Sequence, residues 1–354
     1  MRQSRKLDHI KYSLSLDDGP GVSGFADIGL VHNCLPNLGW NELDISSSIA
    51  GIPINNPLII NAITGGAHDV TTVNGQIAEL ACLTHTAMAV GSQYAAIEDP
   101  EVLQSYKIVR EKNPHGIIFA NLGAYATPRQ AQLAVEMIDA QGIQIHLNVA
   151  QELMMTEGDR EFSGYLANIA KIVDCARVPV IVKEVGCGIA KEQAKQLAEI
   201  GIKAIDVGGM GGTNFLAIEA ARRQLEIYPE MLSWGIPAAI SAVEIMSVLS
   251  EQVDMIVSGG IRTSLDVVKA LALGGTGVGM ATPIIRMLHE KDIEYAVSWF
   301  NNFVHEIKGY MLLSGTASIK DLAKVPVIIT GYSKEWLTAR GIDTTQYGMR
   351  KKHD

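Results

Sequence analysis

The residues of this chain best suited to chemistry stand where short apolar runs end. Lys183 closes the run VPVIVK, and we expect it to point into a buried site because lysine is rarely buried without a function or a partner. Glycine-rich turns follow two later runs, GMGGTNF at 209–215 and SGGIRTS at 258–264. Such turns expose backbone N–H groups, and Thr213 and Arg262 add side-chain donors. One turn alone would indicate only a tight connection, but together they predict a site for a phosphate group.

Small polar residues end the first three apolar runs. Thr64, Ser92 and Asn121 stand at these positions, where each alone would be an ordinary turn residue. Together they supply the hydrogen-bond donors and acceptors that the ring edges of a flavin need. Lys183 would then stabilise negative charge on a reduced flavin ring. A structural ion pair between Lys183 and Glu184 is the alternative.

The fourth run ends in HLNVAQE, residues 146–152, which combines a histidine, amides and a carboxylate. His146 and Asn148 share one face of the strand because strand side chains alternate. Glu152 at the mouth of a binding site would suit Mg²⁺, which binds through one or two carboxylates together with waters and substrate phosphates. The alternatives are a solvated glutamate at a helix start and a neutral core histidine at position 146.

Eight apolar runs carry these residues, and segments with helical periodicity separate them. The runs are Leu58–Ile63, Ala87–Val90, Ile117–Asn121, Ile143–Asn148, Val178–Lys183, Ala204–Val207, Met255–Val257 and Gly277–Met280. Eight strand–helix units predict an α/β fold, a (β/α)8 TIM barrel with an N-terminal arm. Active sites of such barrels lie at the C-terminal ends of the strands, and phosphate is often held after strands 7 and 8. A third glycine turn, GMA at 279–281, follows the eighth run.

The chain divides into three segments by this pattern. Residues 1–50 form an N-terminal arm that would fold over the barrel mouth and contribute substrate-binding residues. Residues 51–335 form the barrel, and residues 336–354 form a C-terminal tail with a basic end that we expect to be frayed.

Charge and composition exclude several classes of protein. The net charge of -9 disfavours nucleic-acid binding, which needs a basic face. The four cysteines include no CxxC pair and fit reduced thiols. No run approaches about 18 apolar residues, so we expect no membrane span. The N-terminus has no apolar core of a signal peptide, and we expect a cytoplasmic location.

The sequence resembles the type 2 isopentenyl-diphosphate isomerases, which depend on FMN. The resemblance covers nearly the whole chain in order. It is carried by RKLDHI (5–10), NAITGG (61–66), VGSQ (90–93), NLG (121–123), HLNVAQE (146–152), EGDREFSGY (157–165), VKEVGCGI (182–189), VGGMGGTNF (207–215), SGGIRTS (258–264) and GMA (279–281). The first and fifth of these motifs are specific to the family, whereas the GGxR turn is shared with other FMN barrels. Tyr94 departs from the pattern, since some members have an arginine there.

The resemblance implies FMN in the barrel mouth, Mg²⁺ on Glu152, and a substrate diphosphate held partly by the arm. The implied FMN-binding residues are Ala62, Ile63, Thr64, Ser92, Asn121, Lys183, Thr213, Gly259, Gly260, Arg262, Met280 and Ala281. The implied substrate-binding residues are Arg5, Lys6, His9, Ser92, Gln93, Asn148 and Gln151. The implied catalytic residues are His146, Gln151 and Lys183.

The implied reaction is the conversion of isopentenyl diphosphate to dimethylallyl diphosphate by a 1,3-proton shift, with reduced FMN as acid and base. NADPH would reduce the flavin without stoichiometric consumption, and the enzyme would be a homo-oligomer, a tetramer or octamer. The main alternative is an FMN-dependent oxidoreductase of the hydroxyacid-oxidase or dihydroorotate-dehydrogenase kind. A purine-nucleotide dehydrogenase barrel and a flavin or phosphate-ligand sensor are further alternatives.

Overall fold

A closed barrel of eight parallel strands forms the centre of the molecule. The computed structural model describes residues 11–16, 20–224 and 229–350. The barrel strands are β1 (Leu58–Ile60), β2 (Ala87–Ala89), β3 (Ile118–Gly123), β4 (Gly142–Leu147), β5 (Val180–Glu184), β6 (Ala204–Asp206), β7 (Asp254–Ser258) and β8 (Gly277–Met280). Each strand pairs with the next along the chain, and β8 pairs with β1. The predicted (β/α)8 barrel is confirmed.

Side-chain alternation divides the barrel interior into an apolar lower half and a polar upper half. The apolar half is one buried cluster that includes Ile59, Phe119, Ile181, Ala204 and Ile256. Two positions further along the same strands stand the polar residues Asn61, Asn121, Lys183, Asp206 and Ser258. Residues two apart on a strand share a face, so each of these five strands carries one apolar side chain below and one polar side chain above.

Helices cover the barrel from outside and connect its strands. They are Thr71–Leu83, Tyr94–Glu98, Gln104–Lys112, Pro128–Ile138, Val149–Met154, Tyr165–Cys175, Lys191–Glu199, Phe215–Arg223, Pro229–Leu232, Ala238–Met246, Ser264–Ala272, Thr282–Glu290, Ile293–Leu313, Ile319–Leu322, Gly331–Ala339 and Thr345–Gly348. Thr263 caps the helix after β7 by accepting a hydrogen bond from the Asp266 N–H. Within the described ranges, no helix is long and apolar enough to cross a membrane.

The arm is built into the barrel over much of its length. The strands Ser47–Ile49 and Ile52–Ile54 form an antiparallel pair whose Ile49 and Ile54 pack on the lower, apolar half. This pair closes the bottom of the barrel and spans the boundary predicted at residue 50. Another strand, Ile28–Leu30, pairs antiparallel with a strand near the C-terminus, Val327–Ile329.

The C-terminal segment also packs on the barrel. The boundary predicted at residue 335 falls inside the helix Gly331–Ala339, whose Leu337 is fully buried. Arg340 donates hydrogen bonds to the buried Glu244 carboxylate at 3.0 and 3.2 Å. The prediction of a frayed C-terminal end is wrong at Arg350. Its guanidinium donates a hydrogen bond to the Ala272 carbonyl at 2.6 Å.

Candidate active site

An open cavity lies at the C-terminal ends of the barrel strands. It contains about 1090 Å³ of empty space, which includes space open to solvent. Every predicted FMN-binding residue except Thr64 lines it, and so do Ser92, His146, Asn148, Gln151 and Glu152. The barrel therefore brings together residues from all eight strand ends, as the sequence pattern predicted.

Thr64 lies just behind the cavity wall. Its hydroxyl is buried and has no hydrogen-bond partner among the described residues. Its carbonyl accepts a hydrogen bond from Gly91, a lining residue, at 2.8 Å. A buried hydroxyl without a hydrogen-bond partner lowers the stability of a protein by about 1–3 kcal/mol. Such a group beside the cavity fits a site whose neighbouring space is filled by a ligand.

The turns after β6 and β7 form the glycine-rich side of the cavity. They pack backbone against backbone, because a Cβ on Gly259 would lie 2.1 Å from the Gly209 carbonyl oxygen. The hydroxyl groups of Thr213 and Thr282 are hydrogen-bonded to each other. This contact joins the turn after β6 to the start of the helix Thr282–Glu290. Two glycine turns and two helix starts thus converge here, which is the arrangement that binds phosphate.

Lys183 ends β5 in the floor of the cavity and is almost fully buried. Its ammonium donates to the backbone carbonyl of Glu184 at 2.7 Å and lies 4.0 Å from an oxygen of Asp206. The alternative of a structural pair with the Glu184 carboxylate does not fit. That carboxylate instead accepts the N–H groups of the turn that follows, at 2.7 Å from both Val185 and Gly186. Burial raises the pKa of Glu184 to about 7.

A chain of hydrogen-bonded polar side chains crosses the floor of the cavity. Asn61 donates to Asp206 at 2.6 Å and accepts from Gln144 at 3.0 Å. Gln144 accepts from Asn121 at 3.2 Å, and the Asn121 oxygen is 2.9 Å from Nδ1 of His146. The motif-based reading missed Asn61, Gln144 and Asp206. Their signal was present as polar residues on the inward face of strands that are otherwise apolar.

Glu152 and Gln151 begin the wall after β4, on the helix Val149–Met154. Both oxygens of Glu152 accept hydrogen bonds, one from Asn148 Nδ2 at 2.8 Å and one from the Asp159 N–H at 2.9 Å. Gln151 Nε2 donates to Glu219 at 3.1 Å. Glu219 is fully buried and was not found from the sequence, because it belongs to a helix after β6.

An ion-pair network supports this wall. Arg222 contacts the Glu219 carboxylate and donates to Glu157 at 3.1 Å. Arg160 donates to the carbonyl of Glu152 at 2.7 Å and to that of Met155 at 2.8 Å. The polar loop after β4 is therefore held against the helix that carries Glu152. Among the described residues there is no group of three or more histidine, cysteine or acidic side chains placed to hold a metal ion.

Several predicted site residues lie elsewhere. Gln93 does not reach the cavity: its side chain is fully buried, donates to the Ala134 carbonyl at 2.8 Å and accepts from the Asn121 N–H at 2.9 Å. It joins β3 to a surrounding helix, so the structure does not place it for substrate binding. Tyr94, the departure from the family pattern, packs edge-on against Tyr125 of the cavity wall. The predicted arm residues Arg5, Lys6 and His9 lie outside the described residues.

Comparison of sequences shows full-length relatives. Residues 109–328 match the family model described as FMN-dependent dehydrogenase. The chain is 46% identical over 350 residues to an isopentenyl-diphosphate delta-isomerase from Geobacillus sp. (strain WCH70), with 99% of both chains covered. It is 43% identical over 361 residues to the protein of that name from Symbiobacterium thermophilum, with the same coverage. The relative from Bacillus thuringiensis (strain Al Hakam) is 47% identical over 351 residues, covering 99% of this chain and 100% of the relative.

Comparison of structures gives a wider and more distant group. A putative lactate oxidase from Pediococcus acidilactici superposes with a TM-score of 0.67 at 18% identity, covering 92% of this chain and 87% of that one. A flavocytochrome b2 variant superposes with a TM-score of 0.69 at 16% identity, covering 98% and 89%. At such identities the likeness shows a shared fold.

Proposed function

Because the chain belongs to the FMN-dependent dehydrogenase family, and within it to the isopentenyl-diphosphate delta-isomerases, we propose that it converts isopentenyl diphosphate to dimethylallyl diphosphate by a 1,3-proton shift. The observation that carries the proposal is the presence of Gln151 and Glu152 on the same cavity as the FMN-binding residues. The hydroxyacid oxidases share the fold at 18% identity, whereas the isomerases share 46% of the sequence end to end.

FMN fits the donor set of the cavity. The glycine turns and Thr213 would hold its phosphate, and the polar strand ends Ser92 and Asn121 would face the ring. Lys183 would supply a positive charge beside the ring. When bound, reduced FMN supplies an electron-rich ring and a nitrogen that exchanges protons, which the movement of an unactivated double bond needs.

The diphosphate of the substrate would lie against Glu152 through Mg²⁺. One carboxylate is enough, because Mg²⁺ keeps several waters and takes further ligands from phosphate. The hydrogen bonds from Asn148 and the Asp159 N–H hold the Glu152 carboxylate in one orientation, so that remaining lone pairs stay available. Asn148 and Ser92 also line the cavity and would bind substrate.

Arg5, Lys6 and His9 of the arm would hold the diphosphate from the open side. Support for this comes from the described part of the arm. Arg286 of the helix Thr282–Glu290, which starts at the cavity, donates to the carbonyls of Ser13 at 3.1 Å and Leu16 at 2.6 Å. The chain just after the basic residues therefore lies close to the cavity, and closure by the arm would exclude water from a cationic centre.

Gln151 would orient the isoprene carbons or relay a proton. An amide is a poor acid or base by itself, and its partner Glu219 holds it in place at 3.1 Å. His146 reaches the same cavity, with Nδ1 hydrogen-bonded to Asn121.

The proposal includes three further predictions. They are NADPH as the reductant of the flavin, a cytoplasmic location, and a tetrameric or octameric assembly.

An anaerobic assay with FMN, NADPH, Mg²⁺ and isopentenyl diphosphate tests the function. We expect many molecules of dimethylallyl diphosphate for each NADPH oxidised. Glu152→Gln should lose activity while it still binds FMN, and Glu161→Gln on the exposed part of the same loop serves as the matched control. One product per NADPH, or flavin reduction by a hydroxyacid without isomerisation, would refute the proposal in favour of an oxidoreductase.

A further inference from the structure

The proposed mechanism does not use one of the fully buried carboxylates of the site. Asp206 stands at the end of β6, is fully buried and does not line the cavity. Its oxygens accept hydrogen bonds from Asn61 and Ser258, and Lys183 lies 4.0 Å away. These three partners all line the cavity. A buried carboxylate that contacts three lining residues, and does not itself line the cavity, is placed to control them.

The first control concerns the charge of Lys183. Lys183 and Asp206 are directly paired in the register of β5 and β6, and both are nearly or fully buried. A buried ammonium without an opposite charge tends to lose its proton. The other groups that face Lys183 are His146, its register partner on β4, the Glu184 backbone carbonyl, and the Glu184 carboxylate, whose pKa is raised by burial and held down by Lys183. Among the described residues, Asp206 is the carboxylate within 4.0 Å of this ammonium.

The second control concerns the protons along the floor. An ionised carboxylate can only accept hydrogen bonds, so Asn61 turns its NH₂ group toward Asp206, an orientation that the Ala62 N–H also supports by donating to the Asn61 oxygen at 3.0 Å. The Asn61 oxygen then accepts from Gln144, and the Gln144 oxygen accepts from Asn121. The Asn121 oxygen consequently faces Nδ1 of His146, which must carry the proton. In the neutral ring, Nε2 is then the nitrogen with the lone pair.

We propose that Asp206 is a positioning residue that keeps Lys183 protonated and, through three amides, fixes His146 as the Nδ1–H tautomer. The inference rests on the proposed function, because that function places Lys183 and His146 beside bound FMN. It concerns the electrostatics of the site as well as turnover, so flavin and histidine measurements without substrate test it separately from the isomerase activity.

The reduction potential of bound FMN tests the first control. At pH 8, we expect Asp206→Asn and Lys183→Met to shift the potential in the same negative direction, with no additional shift in the double variant. Independent, additive shifts, or a wild-type potential in Asp206→Asn at pH 8, would overturn the proposal.

The ¹⁵N chemical shifts of His146 test the second control. Wild-type protein should show a protonated Nδ1 and an unprotonated Nε2 in the neutral ring, and Asp206→Asn should show a mixture of tautomers. Gln144→Met breaks the amide chain without touching the carboxylate. Gln144→Met should also give a mixture of His146 tautomers while the FMN potential stays unchanged. If Asp206→Asn does not fold, this variant still tests the amide chain. A single, unchanged tautomer in Gln144→Met would overturn this half.

A half-buried aspartate at the opposite end of the barrel provides the control. Asp254 begins β7 and accepts from the Ala50 N–H at 2.7 Å, below the apolar half. Asp254→Asn should lower stability and leave the FMN potential and the His146 tautomer unchanged. For turnover, Asp206→Asn should reduce kcat at least ten-fold with KM within about three-fold, since the residue acts through the catalytic groups. If Asp254→Asn gave the same flavin and histidine changes, the effect would be general loosening of the barrel, and the proposal would fail.

Discussion

Gly259→Ala tests whether the glycine-rich turns are needed for the barrel itself and not only for a ligand. Gly259 has a φ of 107°, in a region that side chains rarely adopt. A Cβ there would lie 2.1 Å from the Gly209 carbonyl oxygen and 2.7 Å from its carbonyl carbon, and these atoms belong to a backbone turn that cannot move like a side chain.

Two costs add at this position. The backbone conformation costs a residue with a Cβ about 1–3 kcal/mol, and forcing an extra carbon into a packed region costs about 1–3 kcal/mol. We therefore expect Gly259→Ala to lower the free energy of unfolding by roughly 2–6 kcal/mol. Because Gly259 lines the cavity, the same displacement should also weaken FMN binding.

Chemical denaturation of the FMN-free protein measures the stability cost without the contribution of ligand binding. Gly309→Ala is the matched control, since Gly309 lies inside the helix Ile293–Leu313 with no atom within 4 Å of an added Cβ. It should stabilise by about 0.5–1 kcal/mol through helix propensity. If Gly259→Ala proved as stable as Gly309→Ala, the close packing of the turns after β6 and β7 would not be a constraint, and the reasoning would be refuted.

Three further predictions concern charged residues. Burial raises the pKa of Glu184 from 4.5 to about 7. The free energy of unfolding of the wild type, relative to that of Glu184→Gln, should therefore be highest below pH 4.5 and fall by roughly 3 kcal/mol as pH rises to 7. The same pH dependence of unfolding in both proteins would contradict this. Arg160→Ala releases the loop that Arg160 holds against the helix of Glu152, so it should raise the Mg²⁺ concentration for half-maximal activity roughly ten-fold, which corresponds to about 1.4 kcal/mol. An unchanged Mg²⁺ titration would count against it. Arg340→Ala removes hydrogen-bond donors from the buried Glu244 and should lower the free energy of unfolding by about 1–3 kcal/mol. Lys324→Ala, at an exposed ion pair, should lower it by less than about 1 kcal/mol. Equal losses of stability in thermal unfolding would refute the comparison.

The resemblance and the motifs located most of the cavity but not its supports. Lys183, Glu152 and the glycine turns were predictable because each follows a strand directly, and a barrel gathers its strand ends at one mouth. Gln93 follows a strand in the same way, yet its side chain lies between β3 and the helix Pro128–Ile138, where it bonds Ala134 and Asn121. Position after a strand predicts nearness to the site, but the side-chain direction depends on neighbours that sequence spacing does not reveal.

The C-terminal segment shows a second limit of sequence patterns. The short helix Gly331–Ala339 and the residues that follow read as a tail, because a basic and polar end suggests solvent. In the structure Leu337 is fully buried and Arg340 reaches Glu244, 96 positions earlier in the chain. Long-range contacts of this kind hold the segment against the barrel, and nothing local to the segment indicates them.

By itself, the sequence determined the barrel, the order of its strands and the mouth at which chemistry takes place. It could do so because strand alternation and glycine turns are local properties, encoded within a few residues of one another. Only the tertiary structure decided that Asn61, Gln144 and Asp206 form one connected floor, since barrel closure brings Asn61 and Asp206 together across 145 positions. A hydrogen-bonded chain requires distances near 3 Å between specific atoms, and those distances arise only when all eight strands are in register.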